Sequence, residues 1–274
     1  FADFMWSTAA LIKSLDPNHM VSSGSEGKWG CEGSMELFEK IHSCPDIDYM
    51  NIHVWPYNWN WVRETTLTAN LGQALENTDA YIDEHLKVAE KYGKPVVLEE
   101  FGFPRDDFKF AQGTPTTARD TYYKHVFGRI AESCREGGLF AGVNFWGWGG
   151  LAGQSSENIY WMPGDDYCGD PAQEQQGLNS VYACDATTIA VIKEASEAVR
   201  TAMLPSAWFF LDGNSGIFTS DAPHSLKAGL HSPHMQTARL VLDLSTDFGV
   251  PAGTFTREVK FLQGGAEVEF DLNL

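Results

Sequence analysis

Apolar residues recur at helical spacing from the start of the chain. In FADFMWSTAALIKSLDPNH, Phe4, Met5, Ala9, Ile12 and Leu15 follow a helical period, and Asp16-Pro17 stops the run. The pattern predicts an amphipathic helix that ends at the residue before a proline, where α-helical backbone is disfavoured. A short strand, HMVSSG, follows, and residues 34 to 43 read as a helix capped by Ser34. DIDYMNIHVW predicts a strand running into an aromatic loop, PYNWNWV. The longest helical pattern runs from about Leu71 to Tyr92 and stops at Gly93, a residue suited to a helix C-terminus. Val96, Val97 and Leu98 then form a short apolar run that reads as a buried strand, carries Glu99 and Glu100 at its end, and is closed by Gly102 and Pro104. TARDTYYKHVFGRIAESCRE predicts another helix, ended by Gly137-Gly138, before a strand in LFAGVNFWGWGG. Residues 186 to 202 predict one more helix.

This is a helix followed by four strand-loop-helix units. Conspicuous side chains, Glu26, His53, Trp55, Glu100 and Trp146, fall at the C-terminal ends of the strands. Parallel α/β folds place their sites there. No Gly-x-Gly-x-x-Gly or Walker motif follows a strand, so a nucleotide-binding version has no support. From Pro205 the pattern changes to period two. Val268, Phe270, Leu272 and Leu274 alternate with polar residues, and Gly264-Gly265 reads as a hairpin turn. The expected organisation is an α/β domain over residues 1 to 203 and a small, β-sandwich-like module over 204 to 274.

Composition narrows the function classes. A 274-residue chain with 43% hydrophobic residues can bury a sizeable core, and no apolar run is long enough to span a bilayer. A formal charge of −18 argues against nucleic acid and against an anionic membrane as partners. The five cysteines, at 31, 44, 134, 168 and 184, have no C-x-x-C spacing. Cys168 and Cys184 flank a polar loop, which leaves a disulfide in an oxidising compartment and two free thiols both open. With Phe1 first and no signal-peptide pattern, the chain is expected to be a piece of a longer protein.

Glu99 and Glu100 are adjacent on a strand, so they point to opposite faces and only one can face a given pocket. Four stretches in order, VSSGSEG, DYMNIHVWPYNW, PVVLEEFGFPRD and GVNFWGWGG, resemble the retaining glycoside hydrolases of family 5, and within them the endo-β-1,4-mannanases. The resemblance covers residues 1 to about 203 and matches the stretches to barrel strands five to eight. It implies an α/β fold, the C-terminal half of a (β/α)8 TIM barrel, followed by the all-β module. Such a barrel takes about 250 residues on its own.

The resemblance also assigns roles. Retaining hydrolysis of a β-glycoside uses two carboxyl groups about 5 Å apart, one nucleophile and one proton donor. Glu100, before Phe101-Gly102, matches the family's nucleophile, and Glu99 is left as a structural carboxylate held by a basic group or a backbone donor. His53 matches a histidine that hydrogen-bonds around the nucleophile and the sugar. Trp146 matches the platform under the sugar at the cleavage point, and Trp55 stands where many relatives have tyrosine. Glu26, Trp59 and Trp148 are further substrate-binding candidates, with Trp61 and Trp161 behind them. Any of these tryptophans can equally be a core or surface aromatic, and Glu26 a solvated acid.

The family's proton donor lies in an Asn-Glu motif, and no Asn-Glu dipeptide occurs in the chain. The expected function is therefore cleavage of internal β-1,4-mannosidic bonds of a mannan by a secreted, extracellular enzyme, of which this chain lacks the acid/base and alone is inactive. A β-1,4-glucanase of the same family and a non-catalytic carbohydrate-binding protein are the alternatives. No metal or organic cofactor is implied, because the histidines are scattered and the mechanism needs none.

Overall fold

The computed structural model describes residues 1–202, 206–210, 224–231, 237–246, 248–260 and 265–272. The described chain divides into two compact units, Phe1–Ser196 and Glu197–Leu274. The division falls inside a helix, several residues before the change of composition at Pro205.

The first unit is built as its periodicities dictate. Helix α1 (Ala2–Leu15) ends at Asp16, whose extended backbone precedes Pro17. Helix α2 (Met35–His42) is capped by the Ser34 side chain, which accepts from the Leu37 amide at 3.1 Å. Strand β1 (Met50–Val54) leads through the aromatic loop to α3 (Leu71–Tyr92), which ends in left-handed Gly93. Strand β2 (Val96–Phe101), α4 (Thr117–Glu136) with left-handed Gly137 at its end, and β3 (Phe140–Phe145) repeat the unit. Short strands β4 (Trp148–Gly150) and β5 (Val181–Tyr182) pair in parallel with each other before α5 (Ala186–Ala202).

Strands β1, β2 and β3 make one parallel sheet in that order, with Met50 opposite Val96, His53 opposite Glu100, and Val96 opposite Phe140. Its interior is sealed by Phe38, Ile52, Val54, Ile82, Leu98, Phe101 and Tyr122, all fully buried. Burial is most complete in β1, where only His53 is partly exposed, and least in β3, where Ala141 and Asn144 are exposed.

Two strand expectations need correction. LFAGVNFWGWGG does not form one strand: β3 stops at Phe145, and Trp148 starts a separate short strand paired with β5. HMVSSG forms no strand either. Residues 21 to 26 nevertheless run beside β1 in parallel, since Val21 O accepts from the Asp48 amide and Glu26 O from the His53 amide. Between those points side chains replace the ladder. Ser22 and Ser23 donate to Oδ1 of Asn51, and Asn51 Nδ2 donates to the Ser25 carbonyl. The sheet therefore has three regular strands and a fourth, extended edge tied on by an asparagine.

In the second unit, β6 (Ser206–Phe210), β7 (His224–His231) and β10 (Gly265–Leu272) form an antiparallel sheet, and β8 (Thr237–Ser245) pairs with β9 (Pro251–Lys260). Leu226, Ala228, Phe270 and Leu272 of the first sheet share an apolar cluster with Leu242 of the second. Phe270 and Leu272 are buried between exposed Glu269 and Asp271, as the period-two pattern requires. Leu274 and Gly264 of the expected hairpin turn lie outside the described residues.

Candidate active site

Glu100 and His53 stand opposite each other near the ends of adjacent parallel strands, just past a shift of register at Ile52–His53 that leaves Glu99 as the extra residue, so their side chains emerge side by side. Nδ1 of His53 lies 3.1 Å from Oε2 of Glu100. Both are partly shielded, the carboxylate more open than the imidazole. The companion Glu99 is turned away, as alternation requires, but its partners are neither basic nor backbone. The Tyr49 hydroxyl donates to it at 3.0 Å and Asn51 Nδ2 at 3.1 Å. Burial, and then the facing carboxylate, hold the Tyr49 phenol above its ordinary pKa, so it stays a donor.

Asn51 is thus a hub: its amide nitrogen reaches Glu99 and the Ser25 carbonyl, and its oxygen takes Ser22 and Ser23. It is fully buried, where an unsatisfied amide would be costly. Through it the Glu99 carboxylate fixes both β1 and the segment that carries Glu26.

Trp55 and Trp146 come together, edge to face, with ring centroids 6.5 Å apart. Trp146 is placed by its own amide, which donates to the Phe101 carbonyl at 2.8 Å, so the end of β3 is fastened to the residue after Glu100. Gly102 has to be glycine. A Cβ there would lie 2.8 Å from both the Trp55 ring and Oδ1 of Asn179. Behind this wall Arg119, fully buried, donates to the carbonyls of Phe103, Leu178 and Ser180, and Arg105 forks onto Asp185, with one of those bonds at 2.9 Å. These two arginines hold the loop after β2 and residues 178–185 together.

The remaining candidates are distributed differently. Glu26 touches His53 through its carbonyl, which accepts from the His53 amide at 3.2 Å and from the Tyr81 hydroxyl at 2.7 Å. Trp59 sits with Trp61 at 5.0 Å and with Trp29 at 6.0 Å, and has no ring contact with Trp146 among the described residues. Trp148 is 59% exposed on β4. Trp161 is tied to its own loop, its indole donating to the Asp165 carbonyl. The five cysteines are free thiols, Cys168 buried and Cys184 exposed, so the disulfide alternative is not realised in this structure.

Sequence reasoning passed over three residues of this neighbourhood. Trp29 is signalled only by standing three residues after Glu26. Tyr49 and Asn51 lie on the strand whose last residues drew attention, and only pairing across the sheet brings them to Glu99.

Residues 1–203 match the family model described as GH family 5 beta-mannosidase-like. A putative mannan endo-1,4-beta-mannosidase 9 of Oryza sativa subsp. japonica is 30% identical over 149 residues, 50% of this chain and 34% of the relative. Mannan endo-1,4-beta-mannosidase 1 of the same organism is 31% identical over 151 residues, 50% of this chain and 33% of its own. Among solved structures, the glycoside hydrolase family 5 mannosidase from Rhizomucor miehei superposes with a TM-score of 0.65 at 30% identity, over 73% of this chain and 48% of that one. An E202A mutant of that protein was crystallised with mannosyl-fructose. The chain spans about a third of the length of these curated relatives and about half of that structural neighbour.

Proposed function

The chain belongs to the GH family 5 beta-mannosidase-like glycoside hydrolases, and from that premise we propose that it supplies the nucleophile side of a retaining active site that cleaves internal β-1,4-mannosidic bonds. The single observation that carries the reading is the Glu100–His53 pair, 3.1 Å apart at the ends of adjacent strands and next in sequence to the Phe101–Trp146 tie. Glu100 attacks the anomeric carbon and forms the glycosyl ester as the glycosidic C–O bond breaks and the leaving oxygen takes a proton from the acid/base, after which water hydrolyses the ester. His53 holds Oε2, which leaves Oε1 free to approach the sugar. The Trp146 indole, braced edge-on by Trp55, takes the apolar face of the pyranose ring. Glu26 offers hydrogen-bond acceptors beyond His53, while Trp59 and Trp148 line more distant positions.

The finer architecture belongs to the same proposal. The solved family neighbours are (β/α)8 barrel enzymes. We take residues 21–26 as the fifth strand of such a barrel and β1, β2 and β3 as the sixth, seventh and eighth, followed by the all-β module. The proton donor then comes from outside these 274 residues, in keeping with the absence of an Asn-Glu dipeptide. A polymeric substrate puts the protein outside the cell, which fractionating culture medium against cell lysate tests.

The substrate is tested by reducing-end release from β-mannan and from carboxymethyl cellulose by the whole protein that carries this chain. Mannan is expected to be the better substrate, cleaved with retention of configuration. Preference for the cellulose would move the assignment to a β-1,4-glucanase, and binding without cleavage would support a carbohydrate-binding protein.

A further inference from the structure

We propose that His85, a fully buried residue of α3, is a positioning residue for Glu26: it holds residues 25–29 in place only while its imidazole is neutral, so that mild acid releases this arm before it unfolds the protein. The inference rests on the glycosidase reading above for what Glu26 does, and on the contacts of the arm alone for how it is held.

Nδ1 of His85 donates to the Tyr81 carbonyl, four residues back on the same helix, at 2.7 Å. A neutral imidazole carries one N–H, so Nε2 is left as an acceptor. It takes the Lys28 amide at 2.9 Å. Beside it the Tyr81 hydroxyl donates to the Glu26 carbonyl at 2.7 Å and accepts from the Trp29 amide at 3.4 Å. The His53 amide donates to the same Glu26 carbonyl, so the arm links the buried imidazole to the strand end that faces Glu100. Gly27, at φ +84, allows so close an approach: a Cβ there would lie 2.7 Å from Nε2 of His85 and 2.9 Å from the Tyr81 oxygen.

Protonation removes the acceptor. A second N–H on Nε2 would face the Lys28 N–H with nothing between them to accept, and a buried cation left unpaired is costly. The charged groups around the ring do not repair this. Lys28 brings a like charge from the arm, and Glu84, on α3, brings an opposite one that is engaged by the Lys28 ammonium at 3.0 Å. From α2 the buried His42 packs on Phe38 as His85 does, and its charge too would be like. Glu26 and Cys31 act on Tyr81, whose phenol burial keeps protonated. Burial outweighs the rest and lowers the His85 pKa from 6.5 to about 4. An imidazole freed of the arm returns to its ordinary value, so opening takes up a proton below pH 6.5, and the closed arm is favoured above it.

His42 is the internal control. Its Nδ1 donates to the Phe38 carbonyl at 2.8 Å, and its Nε2 meets the Ser23 hydroxyl at 2.9 Å. A hydroxyl accepts as well as donates, so a charged His42 keeps that contact while Ser23 still donates to Asn51. The Lys28 amide has no such freedom. Acid therefore acts on the arm at Lys28 and not at Ser23.

Hydrogen exchange followed by mass spectrometry, on the whole protein that carries this chain and corrected for the chemical rate at each pH, tests the device. Protection of a peptide covering residues 25–31 should fall about 20-fold from pH 7 to pH 5, the ratio that a pKa moving between 6.5 and about 4 requires. His85→Gln, which offers the Lys28 amide a side-chain oxygen and does not titrate, should hold that change to less than about twofold, and His42→Gln should leave it at about 20-fold. KM for mannan should rise from pH 7 to pH 5 more in the unaltered protein than in His85→Gln, with kcat moving alike in both. Protection that does not depend on pH in the unaltered protein overturns the proposal whatever the variants do, and so does an undiminished loss in His85→Gln. Equal protection of residues 25–31 and of residues 80–90 would show that only global unfolding frees the arm, which overturns it as well. A KM that rises equally in both proteins removes the positioning role. Absence of mannan cleavage at either pH removes the glycosidase reading and the substrate role of Glu26, while the exchange result still decides how the arm is held.

Discussion

At the level of single residues, two adjacent glutamates have been given opposite surroundings by one strand. Glu100 faces His53, and Glu99 faces Tyr49 and Asn51. An activated fluoro-mannoside that traps the covalent intermediate in the whole protein should label the peptide at Glu100; label on Glu99 would reverse the roles. Glu100→Gln should lower turnover at least about a thousandfold with little change in stability. Glu99→Gln should do the reverse, destabilising the fold by about 1–3 kcal/mol in chemical denaturation because two partly buried donors lose a charged acceptor. The outward-facing half of this division was legible in the sequence, since alternation needs only the strand itself. The partners of Glu99 were not, because they lie about fifty positions away and meet it only once β1 and β2 are in register.

Elements of secondary structure were read with unequal success for a physical reason. The bounds of α3, α4 and α5 follow from helical period and terminal signals, all of them local. The segment at 21–26 failed as a strand because a ladder is a property of two chains, and here Asn51 and the serines take over its middle bonds. The helices facing that segment carry two buried histidines, His42 and His85, whose pKa values desolvation lowers to about 4. Each binds its proton less readily folded than unfolded. Stability is therefore full above the ordinary value of 6.5 and falls as pH drops toward 4, by up to on the order of 3 kcal/mol per histidine. Thermal unfolding of the chain from pH 7 to pH 4 should show this decline. His85→Gln, which keeps an acceptor for the Lys28 amide without the titration, should make the decline shallower; an unaltered slope would place the effect elsewhere.

On the scale of the whole molecule, the half-barrel we propose would leave uncovered apolar side chains that a closed barrel buries. Phe4 and Leu15 on α1 are 65% and 78% exposed, and Leu11 lies open beside them. The 274-residue chain alone should self-associate as its concentration rises in sedimentation velocity, more so at high salt, where its net charge of −18 is screened. On the half-barrel proposal, coproduction with a segment that supplies the other barrel strands should make it monomeric and give cleavage of mannan. A monomeric, fully active isolated chain would mean that another carboxylate serves as the acid. The change of composition near Pro205 marked the second unit in the sequence. The observed division at Ser196–Glu197 was not marked, because α5 runs through it without a break in pattern.

Gly102 is a narrow point in the protein's tolerance of change. Every missense substitution of a glycine adds a Cβ, and here that atom meets the indole of Trp55 and the amide of Asn179 at 2.8 Å. No stepwise route of conservative replacements leads through this position. In a drifting lineage it is either kept or lost at a stroke, and the posture of the Trp55–Trp146 pair goes with it.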